Sequence, residues 1–170
     1  RERKVSDREI LGYSAQIMNG LIEMRSSGVI YHRDLRPANI MIDKENKRAV
    51  IIDLGIATTD RHALPANNRR YGGPNDLVSL AQIIYKMTTG EHLFAESRSM
   101  ERTIHADELK DHRDWIYENP KKRLLPYYEK VNKNISNPKL RDIIIGLLTA
   151  KKYEYKKFQR KFVFTFSIPR

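Results

Sequence analysis

Two short apolar runs, NIMID (39–43) and AVIIDL (49–54), stand on either side of the polar stretch KENKR. No other feature of the chain restricts its fold as much. Runs this short, rich in Ile and Val and joined by so few residues, read as an antiparallel β-hairpin with KEN or ENK at its turn. Helical patterns surround it. Ser6 and Glu9 fit an S-x-x-E capping box, and behind them Ile10, Leu11, Ala15, Ile17, Met18, Leu21, Ile22 and Met24 recur at helical spacing, with Gly28 beyond the end. This predicts a long amphipathic helix over 7–26. DLVSLAQIIYKM, closed by Thr89-Gly90, predicts a second helix, and NPKLRDIIIGLLTAKKY a third, with Pro138 in its first turn. The polar region from Glu91 to Asn119 is expected to carry one short helix around His105–Trp115. Pro120 and Pro126 read as interruptions, with a helix near Leu125–Asn132. The expected fold is mainly α.

At 170 residues the chain has room for one sizeable core, and 40% hydrophobic with 31% charged residues suits a globular protein. No apolar run approaches the ~20 residues of a membrane span, and the charged start, RERKVSDRE, is no signal peptide. It lacks an initiator Met, so a piece of a longer chain is expected. Without cysteine the chain has no disulfide, thiolate nucleophile or Cys-ligated zinc, in keeping with a reducing compartment. The net charge of +11 raises nucleic acid as a partner, but the last twenty residues, KKYEYKKFQRKFVFTFSIPR, hold seven Lys or Arg against one Glu. The charge is thus concentrated in a tail rather than spread along a groove, and no specific nucleic-acid partner is expected.

YHRDLRPANIMID (31–43) places Asn39 five positions after Asp34, and Asp53 follows fourteen positions later. A hairpin that folds back brings Asn39 and Asp53, at its two ends, close together. Two oxygen ligands beside open positions suit Mg²⁺, which keeps waters and borrows the rest of its shell from a substrate's phosphates. Asp34, outside that pair, can accept a proton from an attacking hydroxyl, and Arg33 and Arg36 can neutralise phosphate charge. This is the chemistry of phosphoryl transfer.

The same residues resemble a family. HRDLRPAN is similar to the H-R-D-L-x-x-x-N catalytic loop of eukaryotic-type protein kinases, and Asp53-Leu54-Gly55 to their D-F-G with Leu for Phe. NDLVSLAQIIYKMTTGEHLF (75–94) resembles the helix that follows in that family, and RDIIIGLLT (141–149), more faintly, a later one. The resemblance implies a kinase-like C-terminal lobe over 1–150, with ATP and Mg²⁺ as cofactors and a protein as substrate. It makes Asp34 the catalytic base, Arg36 the contact to the transferred phosphate, and Asn39 and Asp53 the nucleotide-metal ligands. His32, Arg33 and Asp76 become structural supports, and Thr58, Thr59 and Tyr71 the available phosphate acceptors. The setting it implies is cytoplasmic, in a host cell were this a bacterial effector.

Three features depart from the family. Nothing before Tyr31 resembles its glycine-rich loop, strand Lys or helix Glu, so the N-lobe is expected outside this chain. Only twenty-three positions separate Asp53 from Asp76, and RRYGGPND replaces Ala-Pro-Glu. The basic, aromatic tail 151–170 matches no part of the lobe, and the alternating run FVFTFSI within it reads as an added strand or a foreign tail. The reading that follows is a serine/threonine kinase lobe, inactive as this fragment alone. The alternatives are a pseudokinase or binding scaffold, and a small-molecule phosphotransferase.

Overall fold

The computed structural model describes residues 5–60, 75–93, 120–150 and 155–163. Helix α1 (Asp7–Ser26) begins where the capping box requires. Ser6 Oγ accepts from the Glu9 N–H at 3.3 Å, and the Glu9 carboxylate accepts from the Ser6 N–H at 3.0 Å. Those bonds satisfy donors that a helix start leaves open. Past the other end Gly28 takes a φ of 92°, a left-handed conformation that a side chain disfavours. Ile10, Leu11, Ile17, Met18 and Leu21 turn inward and are buried.

A 3-10 turn (Pro37–Asn39) leads into β1 (Ile40–Asp43), which pairs antiparallel with β2 (Arg48–Ile51), Ile40 facing Ile51 and Asp43 facing Arg48. The hairpin is the expected one, with shorter strands. Asn39 closes the turn rather than opening a strand, and β2 stops before Asp53, whose φ of 63° lies outside the β region. At the tight end the Asp43 carboxylate accepts from the Asn46 N–H at 3.0 Å and from Asn46 Nδ2 at 2.7 Å. Alternation then sorts the strands: Ala49 is buried while Ile40, Ile42 and Ile51 pack against the core, and Met41 and Val50, directly opposite one another, face out.

Helix α2 (Asp76–Thr89) is the centre of the body. All residues from Asp76 to Tyr85 are buried, as expected of a helix apolar around its circumference. Asn75 Oδ1 caps its start by accepting from the N–H groups of Leu77 and Val78, and Gly90, at φ 81°, ends it. Helices α1 and α4 (Pro138–Leu148) pack on α2, α3 (Pro120–Asn134) packs on α4, and α5 (Tyr155–Val163) packs on α1.

The second half of the chain corrects the sequence reading. Pro126 lies inside α3 instead of interrupting it. A proline there removes one helical bond at about 3 kcal/mol, yet Leu124 and Val131 are buried and Lys130 Nζ donates to the His92 and Leu93 carbonyls. Tertiary packing outweighs the local penalty. The third predicted helix stops at Leu148, with Thr149 as its cap, rather than running to Tyr153. Phe162 and Val163, expected in an added strand, end a helix, and Phe162 is buried among core residues. The helix expected around His105–Trp115 lies outside the described residues.

Candidate active site

The loop before β1 is built on one carboxylate. Asp76, in the first turn of α2, accepts from the His32 N–H at 2.9 Å and from the Arg33 N–H at 3.2 Å. Holding two successive amides lets Arg33 keep a φ of 72°, a conformation that costs a non-glycine residue about 1–3 kcal/mol. Burial pushes the Asp76 carboxyl pKa up from its ordinary value, against the opposing pull of the two amides and of His32 and Arg25. His32 is wholly buried. Its Nδ1 accepts from the Asp34 N–H at 3.3 Å and its Nε2 lies 3.1 Å from the Ile52 carbonyl. A carbonyl can only accept, so the hydrogen sits on Nε2 and the ring ties the loop to the hairpin.

Asp34 is thereby placed beside Asn39. Asn39 Nδ2 donates to both the Asp34 carbonyl and Asp34 Oδ2, each at 2.9 Å. Arg36 Nε approaches the same Oδ2 at 3.3 Å, so Arg36 is paired with Asp34. Both side chains are partly exposed, and an ion pair of this kind adds ~0–1 kcal/mol. Asn39 itself is buried. Its carbonyl accepts from the Ile52 N–H at 2.9 Å, extending the ladder by one bond beyond the strands. Asn39 and Asp53 thus flank the open end of the hairpin. Asp53 is exposed, and its Oδ1 accepts from the Gly55 N–H at 3.1 Å.

The chain then returns to the loop. Thr58 bridges Tyr31: its carbonyl accepts from Ile30 at 2.8 Å, and its N–H donates to the Tyr31 carbonyl at 3.0 Å. Thr59 is exposed, and Tyr71 lies outside the described residues. Arg33 points back toward this segment, Nη1 reaching the Ile56 carbonyl at 3.5 Å, while its buried Nε has no partner among the described residues. Sequence reasoning missed the ring of His32 as the tie to Ile52, and Asn75, which caps α2 while Nδ2 donates to the Ala150 carbonyl at 3.0 Å. An Asn before an apolar helix was the available signal for the cap; nothing local announced Ala150.

Among the described residues no group of three His, Cys, Asp or Glu gathers around one point. A cation at the open end would therefore take oxygen from Asn39 and Asp53 and its other ligands from elsewhere, a donor set that fits Mg²⁺ better than zinc.

The sequence that carries this loop and hairpin is similar to known proteins. Residues 1–65 match the family model described as the protein kinase domain. The chain is 32% identical over 103 residues to a probable serine/threonine-protein kinase of Saccharomyces cerevisiae, an alignment that covers 51% of this chain and 7% of that protein. It is 30% identical over 112 residues to G protein-coupled receptor kinase 2 of Caenorhabditis elegans, covering 57% and 16%. With a probable casein kinase II subunit alpha homologue of Encephalitozoon cuniculi it shares 32% over 88 residues, covering 49% and 27%. The chain spans less than a third of the length of each of these relatives. In its first 65 residues the chain is similar to the protein kinase domain, and its helical body with a two-stranded sheet is consistent with a kinase-like lobe. No helix among the described residues is long and apolar enough to cross a membrane.

Proposed function

We propose that this chain is the catalytic lobe of a protein kinase that transfers the γ-phosphate of ATP to a serine or threonine hydroxyl of a protein. The observation that carries the reading is the fixed position of the Asp34 carboxylate, oriented by Asn39 Nδ2 at 2.9 Å on a loop whose backbone Asp76 holds. In this reading Asp34 accepts the proton of the substrate hydroxyl as its oxygen bonds to the γ-phosphorus and the bond to ADP breaks. Arg36, pivoting from Asp34, meets the charge of the transferred phosphate. Asn39 and Asp53 are the residues that would hold Mg²⁺, which neutralises phosphate charge when bound. His32, Arg33 and Asp76 keep the loop in place. The name of the yeast relative favours serine and threonine over tyrosine.

The N-lobe that would cover the nucleotide is assigned to a segment beyond residues 1–170, and a cytoplasmic setting follows from ATP as donor. Residues 1–150 form the lobe, and 151–170 are an appended tail whose described part docks on α1 through Phe162 and Gln159. Of the phosphate acceptors Thr58, Thr59 and Tyr71, Thr58 has its backbone already bonded to Ile30 and Tyr31. The backbone at Thr58 therefore does not require a phosphate to order it.

The test uses the full-length protein, labelled ATP and Mg²⁺. Asp34→Asn should slow transfer by ~10²–10⁴-fold with Mg-ATP affinity retained, whereas Asp53→Asn should lose affinity as well as rate. An Asp34→Asn protein that transfers phosphate as fast as the parent would replace the catalytic reading with that of a binding scaffold.

A further inference from the structure

The hairpin carries Asn39 and Asp53 at its open end, yet a two-stranded ribbon is only marginally stable by itself. One side chain of α1 clamps its other end. Gln16 Nε2 donates to the Lys47 carbonyl at 2.9 Å, and Gln16 Oε1 accepts from the Ala49 N–H at 2.8 Å. A carbonyl only accepts and an N–H only donates, so these partners also settle which way round the amide sits. The side-chain amide thus pairs with the outer edge of β2 as a third strand would. One turn further along α1, Gly20 admits the strand: a Cβ there would lie 3.1 Å from Ile51 Cδ1. Positions four apart share a helix face. A single stripe of α1 therefore seats β2 twice, by Gln16 near the turn and by Gly20 near the site.

The clamp also falls where the chain is strained. Lys47 has a φ of 52°, which a non-glycine residue keeps only where its surroundings over-determine it. A one-residue slip of β2 would turn Ala49 and Ile51 outward and Val50 inward. That burial pattern sets the register, and Gln16 holds the outer edge of the strand against α1 in that register.

We propose that Gln16 is a positioning residue: by clamping Lys47 and Ala49 it fixes the seating and tilt of the hairpin on α1, and through them the place of Asn39 and Asp53. Its consequence for phosphate transfer rests on the function proposed above; its consequence for the hairpin does not.

The experiment compares the full-length parent with Gln16→Ala, Gln16→Glu and a control in α4, Ile144→Val, by residue-resolved amide exchange and by Mg²⁺ titration of phosphate transfer. In Gln16→Ala, exchange should quicken about tenfold at Ala49, as the loss of a hydrogen bond implies. It should also quicken at Ile52, the amide bonded to Asn39, with α2 unchanged. Gln16→Glu keeps an acceptor for Ala49 but no donor for Lys47, and should fall between. The Mg²⁺ concentration for half-maximal transfer should rise roughly 3- to 10-fold, as misplacement of a site implies, while the KM for the protein substrate stays constant. The proposal is overturned if Ala49 quickens and Ile52 does not, or if Ile144→Val shifts the Mg²⁺ requirement as much as Gln16→Ala. A parent that transfers no phosphate would overturn the proposed function, and the exchange data would then decide the positioning role alone.

Discussion

The loop and hairpin of residues 31–58 and the helical base of α2 and α4 obey different rules. The base is held by burial: Leu77, Leu80, Ile84, Leu140, Ile144 and Leu147 are shut off from water. Its one described residue with positive φ is Gly90, at a helix end where glycine tolerates it. The loop region is held by directed polar bonds, from Asp76 to two amides, from His32 to Ile52 and from Asn39 to Asp34. It also keeps Arg33 and Asp53, neither of them glycine, at φ 72° and 63°. Apolar burial is non-directional and tolerates small shifts; a hydrogen bond fixes an atom. The base supplies stability, and the loop converts some of it into placement.

Three substitutions would break or sharpen that contrast. Leu80→Ala, at the centre of α2, should cost about 2–5 kcal/mol by thermal or denaturant melting, and at temperatures where the variant is folded its Mg-ATP affinity should match the parent's. A change in affinity as large as that of Asp53→Asn would show that base and site are not separable.

Asp76→Asn should cost less, ~1–3 kcal/mol, because an amide nitrogen then faces one of the two loop amides. The penalty should also depend on pH. Burial raises the Asp76 pKa above its unfolded value of 3.8, so the folded state binds the proton more tightly than the unfolded one. The stability linked to that proton is fully present below the unfolded pKa and is lost as pH rises through the folded value. Melts of parent and Asp76→Asn should therefore differ most in acid and converge upward from pH 3.8. Asp43 supplies the contrast. Its exposed carboxylate is pulled below 3.8 chiefly by the Asn46 side chain, so its contribution is present above that pH and lost as pH falls through the lowered value. A gap between parent and Asp76→Asn that widens with rising pH would contradict this account.

The smallest effect belongs to the exposed start of α1. Ser6→Ala removes one partner of the capping box and should lower stability by roughly 0.5–2 kcal/mol without altering phosphate transfer. A loss of activity would mean that α1 transmits strain to the hairpin even from its far end.

What the chain declares in its own sequence is what short-range physics decides. The start of α1 is written in Ser6 and Glu9, the end of α2 in Gly90, and the hairpin in two apolar runs around a polar turn, because caps and turns involve residues a few positions apart. The spacing of Asp34, Asn39 and Asp53 was legible for the same reason, since a hairpin of known length brings its two ends together. The pairing of Arg36 with Asp34 was not, because a partly exposed side chain has no single position that spacing could specify. Tertiary structure alone decided that α3 continues through Pro126 and that the tail's Phe162 joins the core as part of a helix. It alone joined Asp76 to loop amides 44 and 43 residues away, and Gln16 to a strand edge more than 30 residues away. Each depends on burial and on partners distant in the chain, and a local pattern carries no record of which distant groups will meet it.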